Sequence, residues 1–263
     1  MWDNGDLESE KIPLNRTPVF HVITPTFRRS FLLRPFVRAL RRQSYPHWTG
    51  YVVHDGPNAA FYNDYVARTP SDSRIRFSLT ERRTGDMGNS QRMQVLSEAA
   101  AKAGPDDYCV LWDDDNYFHP GALSLIAETL AGTGYPDLLL VPLKHRGKVL
   151  PPADKKISEL ARGDLDSGCF VLRAACYESI RPTLQAVEDC YLFDLTLFKA
   201  MRTGGGAVVG GFAMPPVGEY DGLHASVGKT RATWVVYWLS LRRIAKAVDR
   251  LFRRLLGFGL RPE

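Results

Sequence analysis

The sequence predicts an α/β domain in which a largely parallel sheet is flanked by helices. Short apolar runs of strand length alternate along the chain with segments whose apolar residues recur at helical spacing. Turn-forming stretches such as Asp55-Gly56-Pro57 separate them. This alternation indicates βαβ units and a doubly wound sheet, in which ligands bind beyond the carboxyl ends of the strands.

The strands are predicted from apolar runs that end at proline, glycine or acidic residues. They cover residues 19–24, 50–54, 74–80, 108–112, 137–143, 167–172 and 207–213. The helices are predicted at 30–43, 91–103, 121–131 and 188–202. Ser30 is suited to cap the first helix, and three glycines after residue 203 end the last one. The polar, lysine-containing segment 144–166 is interpreted as a long loop or hairpin.

Composition excludes several functional classes. The four cysteines are scattered without a CxxC pair, which argues against a zinc site or a disulfide framework and indicates a reducing compartment. The net charge is +5, but residues 229–263 hold nine basic and two acidic residues, whereas residues 1–228 hold 25 basic and 27 acidic ones. The basic excess of +7 therefore lies in the tail, and we predict no nucleic-acid partner.

The two termini carry different predictions. Residues 1–17 are polar and are interpreted as an arm; they lack the apolar segment of a signal peptide, so a cytoplasmic location is predicted. In residues 229–263, apolar positions recur at helical spacing and basic residues fill the gaps. This pattern is typical of a basic amphipathic helix that binds the anionic inner face of a membrane peripherally. The alternative is a helix packed on the domain or on a dimer partner.

The stretch around Asp113, Asp114 and Asp115 is the main candidate for chemistry. These three carboxylates follow an apolar strand directly, and they repel one another unless a cation lies among them. Hard cations such as Mg²⁺ bind one or two carboxylates together with phosphate oxygens. The alternative is a solvated acidic turn. Asp55 also follows a predicted strand, so the acids are expected to converge at one edge of the sheet.

Five segments resemble, in the family's order, inverting glycosyltransferases of the GT-A fold, family 2. The segments are VITPTFRR (22–29), RQSYPHW (42–48), VVHDGPN (52–58), GDMGNSQR (85–92) and LWDDDNYFHPGAL (111–123). The resemblance implies a Rossmann-like mixed sheet with flanking helices over residues 18–228. The predicted C-terminal helix would follow that domain.

The resemblance also implies binding roles for individual residues. The first-strand motif Thr24-Pro25-Thr26 begins the nucleotide-binding half, and Asp55 recognises the base. Arg92 lies near the donor diphosphate, although Met93 follows it where the family usually has asparagine. Asp113 and Asp115 hold the ribose and a divalent metal, Mg²⁺ or Mn²⁺, that bridges the diphosphate. Asp114 is an extra acid that either shares the ion or faces solvent.

An inverting transfer needs a base, and the resemblance leaves two candidates for it. Asp194 has the family's spacing to the glycines and is preferred, although it follows Phe193 rather than glutamate. Asp189, in the Glu188-Asp189 pair, is the reserve. The segment 219–226 resembles the one that closes over the diphosphate, so His224 is either a third metal ligand or an ordinary loop residue.

The sequence therefore predicts transfer of a sugar from a nucleoside-diphosphate-sugar donor to a glycan or lipid-linked acceptor. Acceptor choice is expected in residues 144–166 and in the tail. A nucleotidyltransferase is one alternative, but residues 24–30, TPTFRRS, lack the glycine-rich loop expected after the first strand. A nucleotide-binding scaffold without turnover is the other, and the intact acidic motif argues against it.

Overall fold

The structure is a computed structural model that describes residues 17–27, 30–57, 59–145, 147–187 and 189–220. His224 and the predicted C-terminal helix, 229–263, lie outside the described residues, as does the predicted N-terminal arm except for its last residue. Within the described residues, no helix is both long enough and apolar enough to cross a bilayer.

The described residues form six α-helices and eleven strands. The helices are α1 (Ser30–Arg41), α2 (Ala60–Arg68), α3 (Asn89–Ala100), α4 (Ala122–Gly132), α5 (Tyr177–Gln185) and α6 (Phe193–Thr203). The strands are β1 (Phe20–Thr26), β2 (Trp48–His54), β3 (Ile75–Leu79), β4 (Tyr108–Leu111), β5 (Tyr117–Phe118), β6 (Leu138–Leu140), β7 (Leu143–His145), β8 (Lys148–Leu150), β9 (Phe170–Arg173), β10 (Val208–Gly210) and β11 (Gly218–Glu219).

The main sheet has seven strands in the order β10-β6-β9-β4-β1-β2-β3. Strands β3, β2, β1 and β4 pair in parallel, whereas β9 runs antiparallel to both β4 and β6. The sheet is therefore mixed, as the family resemblance implied, and not wholly parallel. Because β9 runs the other way, its amino end lies beside the carboxyl ends of the parallel strands.

The core lies in two layers, one on each face of the main sheet. On one face, Phe20 and Val22 of β1 belong to an apolar cluster with Leu32 of α1 and Ile126 of α4. The next residue along β1, Ile23, belongs to the cluster on the other face. That second layer packs α3, α5 and α6 against the sheet through side chains that include Leu96, Tyr177 and Leu197. Strand alternation thus sends successive side chains into opposite layers.

A second sheet of four strands, in the order β5-β11-β7-β8, was not predicted. The prediction of one strand over residues 137–143 was wrong, because the chain there passes from β6 in the main sheet to β7 in the small one. Pro142 lies between them and has no N–H to continue a ladder. The predicted hairpin in 144–166 exists as β7 and β8, followed by irregular chain.

Helices α2 and α5 were also missed by the sequence prediction. In α2, Tyr62 is buried, and the carbonyl oxygens of Val52 and Ser78 lie 2.7 and 2.8 Å from its hydroxyl oxygen, where they share its single donor hydrogen. In α5, Tyr177, Ile180 and Leu184 are buried together against the second layer. Neither nine-residue segment is apolar enough to indicate a helix by itself, and tertiary contacts stabilise both.

Two predicted boundaries near the site also differ. The predicted helix 188–202 begins only at Phe193, after a 3₁₀ turn at Cys190–Leu192. The predicted strand 167–172 begins at Phe170, because Ser167–Cys169 form another 3₁₀ turn, which Asp166 caps by accepting the N–H of Gly168 at 2.9 Å. This second turn brings polar groups to the edge of the main sheet.

Candidate active site

A cavity of about 270 Å³ lies at the carboxyl ends of β1, β2 and β4. Most of the residues predicted to bind the donor line it. These are Pro25, Thr26, Asp55, Arg92, Asp113, Asp114 and Asp115. The cavity is also lined by residues of the matched segments that had no individual predicted role, and by Arg83, which lies outside those segments. The former are Phe27, Gly85, Met87, Gly88 and Tyr220. Thr24 is fully buried in β1 and is not among the lining residues.

The buried guanidinium of Arg92 connects the acidic motif to the loop that precedes α3. Its Nη2 atom forms a short ion pair with Oδ1 of Asp113. Its Nη1 atom donates to the carbonyl oxygen of Met87 and to Oδ1 of Asn89, both at 3.0 Å. Burial would lower the pKa of Arg92, but the charges of Asp113 and Asp194 raise it, so the guanidinium stays charged.

Asp114 does not face solvent, which removes one of the two alternatives for this residue. Asp114 is only 2% exposed, and its Oδ2 accepts a hydrogen bond of 2.6 Å from the hydroxyl of Thr26. The two residues therefore tie the end of β1 to the segment after β4. Such a buried carboxylate is stable only when it is hydrogen-bonded.

Asp55, at the end of β2, binds the loop of residues 84–88. Oδ1 accepts the backbone N–H of Thr84 at 2.8 Å and the side-chain amide of Gln91 at 2.7 Å, and Oδ2 accepts the N–H of Gly85 at 3.0 Å. Burial alone would raise the pKa of Asp55, but these hydrogen bonds favour the carboxylate and lower it. Asp55 is thus an ionised anchor for one wall of the cavity.

The loop of residues 84–88 has an unusual backbone. Gly85, Met87 and Gly88 have φ values of +70°, +60° and +87°. A Cβ atom on Gly88 would lie 2.5 Å from Cβ of Pro25, so only glycine fits against β1 there. Met87 is 58% exposed although it is a large apolar residue, and it lines the cavity. Backbone strain of this kind is concentrated at ligand sites.

The two base candidates occupy different environments. Asp189 is exposed and accepts the N–H of Tyr191 at 3.0 Å, as the cap of the 3₁₀ turn before α6. Asp194, in the first turn of α6, interacts electrostatically with Asp166, Arg92 and Asp113. Burial and the charge of Asp166 raise the pKa of Asp194 to about 7. The structure therefore brings Asp194 close to Asp113 and Asp166.

Asp166, Ser167 and Gln91 are site residues that the sequence did not single out. The Ser167 hydroxyl donates to Oδ2 of Asp113 at 3.1 Å. Burial, reinforced by the charge of Asp113, raises the pKa of the Asp166 carboxyl to about 6. For Asp166 and Ser167, the signal was two polar residues at the start of the predicted strand at 167–172. It could not be used, because the direction of β9 is needed to place those residues at the cavity.

The carboxylates of Asp113 and Asp115 suit a divalent cation whose remaining ligands are phosphate oxygens of a substrate. No group of three or more His, Cys, Asp or Glu side chains among the described residues is arranged to hold a metal ion. Asp113 and Asp115 nevertheless line the same cavity, and the charges of both raise the pKa of Asp166. Mg²⁺ is commonly bound by one or two carboxylates plus phosphate oxygens, and this donor set fits that mode.

The mixed sheet, with acidic residues at the carboxyl ends of its parallel strands lining one cavity, matches the GT-A class of fold. The chain belongs to glycosyl transferase family 2, whose model matches residues 21–161, more than half of the 263 residues. Both the predicted family and the predicted fold class are therefore confirmed. No curated protein matches the sequence.

Solved structures of TarS from S. aureus are similar to this chain. TarS 1–349 matches with 17% identity and a TM-score of 0.54, covering 77% of this chain and 60% of its own. The same fragment in complex with UDP matches with 17% identity and a TM-score of 0.55, covering 76% and 60%. Its complex with UDP-GlcNAc matches with 18% identity and a TM-score of 0.54, covering 76% and 58%. This chain therefore spans about three fifths of the TarS fragment, and the likeness concerns the fold.

Proposed function

We propose that this chain transfers a sugar, with inversion, from a nucleoside-diphosphate-sugar donor to a glycan or lipid-linked acceptor. The observation that carries the proposal is the convergence of Asp55, Arg92, Asp113 and Asp115 on one cavity at the carboxyl ends of the parallel strands. Family membership supports the reaction type. The complexes of TarS with UDP and UDP-GlcNAc support a nucleotide-sugar donor.

The chain's own residues would divide the work of donor binding. Asp55 fixes the loop of residues 84–88, whose wall of Gly85, Met87 and Gly88 would face the nucleoside. Arg92 orients Asp113 and the same loop through its three hydrogen-bond partners. This fixed arrangement means that little reorganisation is needed when the donor binds.

Mg²⁺ or Mn²⁺ would be held by Asp115 and Asp113, with His224 as a further candidate ligand outside the described residues. Such an ion, when bound, supplies electrostatic stabilisation of the negative charge on the departing nucleoside diphosphate. Arg92 pairs with Asp113 and lines the same cavity as Asp115, so the protein contributes charges of both signs around the diphosphate position.

Asp194 is the proposed base that accepts the proton of the acceptor hydroxyl as that oxygen attacks the anomeric carbon. Its pKa of about 7 is matched to neutral pH, where a base must be deprotonated yet basic enough to take a proton. Asp189 remains the reserve. The acceptor would approach near β7, β8 and the segment that follows them, where the hairpin begins beside Tyr220 of the cavity.

The test compares Asp194→Asn with Asp189→Asn in a donor-consumption assay and in titrations with nucleoside diphosphates. We expect Asp194→Asn to bind nucleotide normally and to lose at least a hundredfold in turnover. Asp189→Asn should keep both properties. Loss of turnover in Asp189→Asn instead would transfer the role of base to that residue.

A second test concerns the metal. Nucleoside diphosphates should raise the thermal unfolding temperature more with Mn²⁺ than without it, and Asp115→Ala should abolish that difference. A protein that no nucleotide stabilises, with or without Mn²⁺, would contradict the proposal and favour a scaffold. Full activity in Asp115→Ala would remove the metal role of that residue.

A further inference from the structure

A second cavity, of about 730 Å³, lies between α1 and α2 and is dominated by arginine. Arg34, Arg38, Arg41, Arg42 and Arg68 line it, and Asp64 is the one acid among its lining residues. It shares no lining residue with the cavity at the acidic motif. We refer to it as the arginine groove.

The groove extends towards the opposite end of the sheet from the acidic motif. The contacts of Arg41 show which end this is. Its Nη2 donates to the carbonyl oxygen of Pro70 at 2.5 Å, and its Nε lies 3.4 Å from Oδ2 of Asp72. Pro70 and Asp72 precede β3, so they lie at the amino ends of the parallel strands. The groove is therefore not an extension of the candidate active site.

Most of the charge in the arginine groove is not neutralised locally. Arg41 pairs with Asp72, and Arg68 pairs with Asp64 at 2.8 Å. Arg34, Arg38 and Arg42 are exposed, and none of the three forms an ion pair with another described residue. Tyr65 lines the same groove as Arg34, Arg38 and Arg41. Burial raises the pKa of its phenol, and the charges of these three arginines oppose that rise.

Helix stability does not account for this arrangement. Arg34, Arg38 and Arg42 follow one another at four-residue intervals, a spacing at which like charges on a helix repel by a few tenths of a kcal/mol per pair. Helix α1 contains no acidic residue that would relieve the repulsion. The helix dipole favours basic residues in the last turn, which covers Arg38 and Arg41 but not Arg34. An external anion would neutralise the positive charges of Arg34, Arg38 and Arg42.

We propose that the arginine groove binds an anion that carries several phosphoryl groups. Guanidinium groups bind phosphate oxygens through paired N–H donors, which makes arginine the preferred residue for this chemistry. The row from Arg34 to Arg42 follows α1 and ends one residue beyond it, a length of about 12 Å at about 1.5 Å per residue. Phosphoryl groups spread over that length, on a soluble molecule or on phospholipid headgroups, complement the row. This site does not depend on the proposed glycosyl transfer.

The experiment compares two variants of the full chain with equal net charge. The first carries Arg34→Gln, Arg38→Gln and Arg42→Gln. The second carries Lys102→Gln, Lys199→Gln and Arg202→Gln, three exposed basic residues that do not line the groove. Binding of tripolyphosphate is measured by calorimetry in metal-free buffer at several salt concentrations. Binding to vesicles of phosphatidylcholine with and without phosphatidylglycerol is measured by sedimentation.

We expect the groove variant to bind at least one of the two anionic probes tenfold more weakly than the control variant, with a shallower dependence on salt. Loss in the tripolyphosphate arm alone identifies a soluble phosphorylated ligand. Loss in the phosphatidylglycerol arm identifies phospholipid headgroups. Equal binding by the two variants in both arms would overturn the proposal. Circular dichroism and thermal unfolding of each variant establish that the comparison is made between folded proteins.

Discussion

The hydroxyl of Ser167 donates a hydrogen bond of 3.1 Å to Oδ2 of Asp113, although the two residues are 54 positions apart. The backbone amide of Ser167 also favours the charged form of the Asp194 carboxyl. Ser167, in the 3₁₀ turn before β9, therefore interacts both with the acid that follows β4 and with the proposed base on α6.

Ser167→Ala removes the side-chain bond to Asp113 and keeps the backbone amide. We expect kcat/KM for sugar transfer to fall about tenfold, because a hydrogen bond to a charged group contributes roughly 1.5–3 kcal/mol. Steady-state kinetics with a saturating acceptor would measure it. Ser179→Ala is the matched control, since the Ser179 hydroxyl is exposed and bonds only the nearby carbonyl of Cys176. Equal rates in the two variants would show that the bond to Asp113 has no catalytic importance.

The raised pKa of Asp194 predicts a pH dependence. A base works when deprotonated, so kcat/KM should fall as the pH drops below about 7. Asp166→Asn removes a negative neighbour that helps to raise this pKa, and the acid limb should move to lower pH. Asparagine can still cap the turn at Ser167–Cys169, which preserves the local fold.

The measurement is a pH profile of kcat/KM for both forms of the protein. Asp154→Asn, a change at an exposed acid, serves as the control and should leave the limb in place. A limb that does not move in Asp166→Asn would mean that Asp194 does not control the rate.

Two substitutions of Arg92 distinguish the loss of its positive charge from the loss of its hydrogen-bond geometry. Arg92→Leu leaves Asp113 without its buried cation and should cost about 3–5 kcal/mol in the free energy of unfolding. Arg92→Lys keeps the charge but cannot reproduce the fork that reaches Asp113, Met87 and Asn89, and should cost roughly 1–3 kcal/mol. Urea unfolding measures both. Arg82→Lys, at an exposed position, should change stability by less than about 0.5 kcal/mol.

Alanine substitutions at two glycines of the loop at residues 84–88 distinguish the cost of backbone strain from the cost of a steric overlap. Both have positive φ, but a Cβ on Gly85 would have no atom within 4 Å, whereas one on Gly88 would overlap Pro25. Gly85→Ala should therefore cost about 1–2 kcal/mol through its backbone alone. Gly88→Ala should cost more and should also weaken nucleoside-diphosphate binding, because the loop must move away from β1. Equal stability and binding in the two variants would contradict this assignment of the loop.

Local patterns were enough to predict the main strands and the acidic strand ends. Apolar periodicity depends on neighbouring residues, so β1, β2, β3 and β4 could be predicted from the sequence with small boundary errors. Parallel strands end at the same edge of a sheet, and the convergence of Asp55 with Asp113 and Asp115 followed from that rule. The family resemblance added chemical roles for these positions.

The sequence by itself determined the fold class and the acids at the ends of the parallel strands, because both depend on local spacing. Tertiary structure alone decided the direction of β9, which places Asp166 and Ser167 beside Asp113, and the packing that stabilises α2 and α5. It also decided that Asp114 is buried against Thr26 and that arginines from α1 and α2 share one groove. These features depend on contacts between residues far apart in the chain, and such contacts leave no periodic pattern in the sequence.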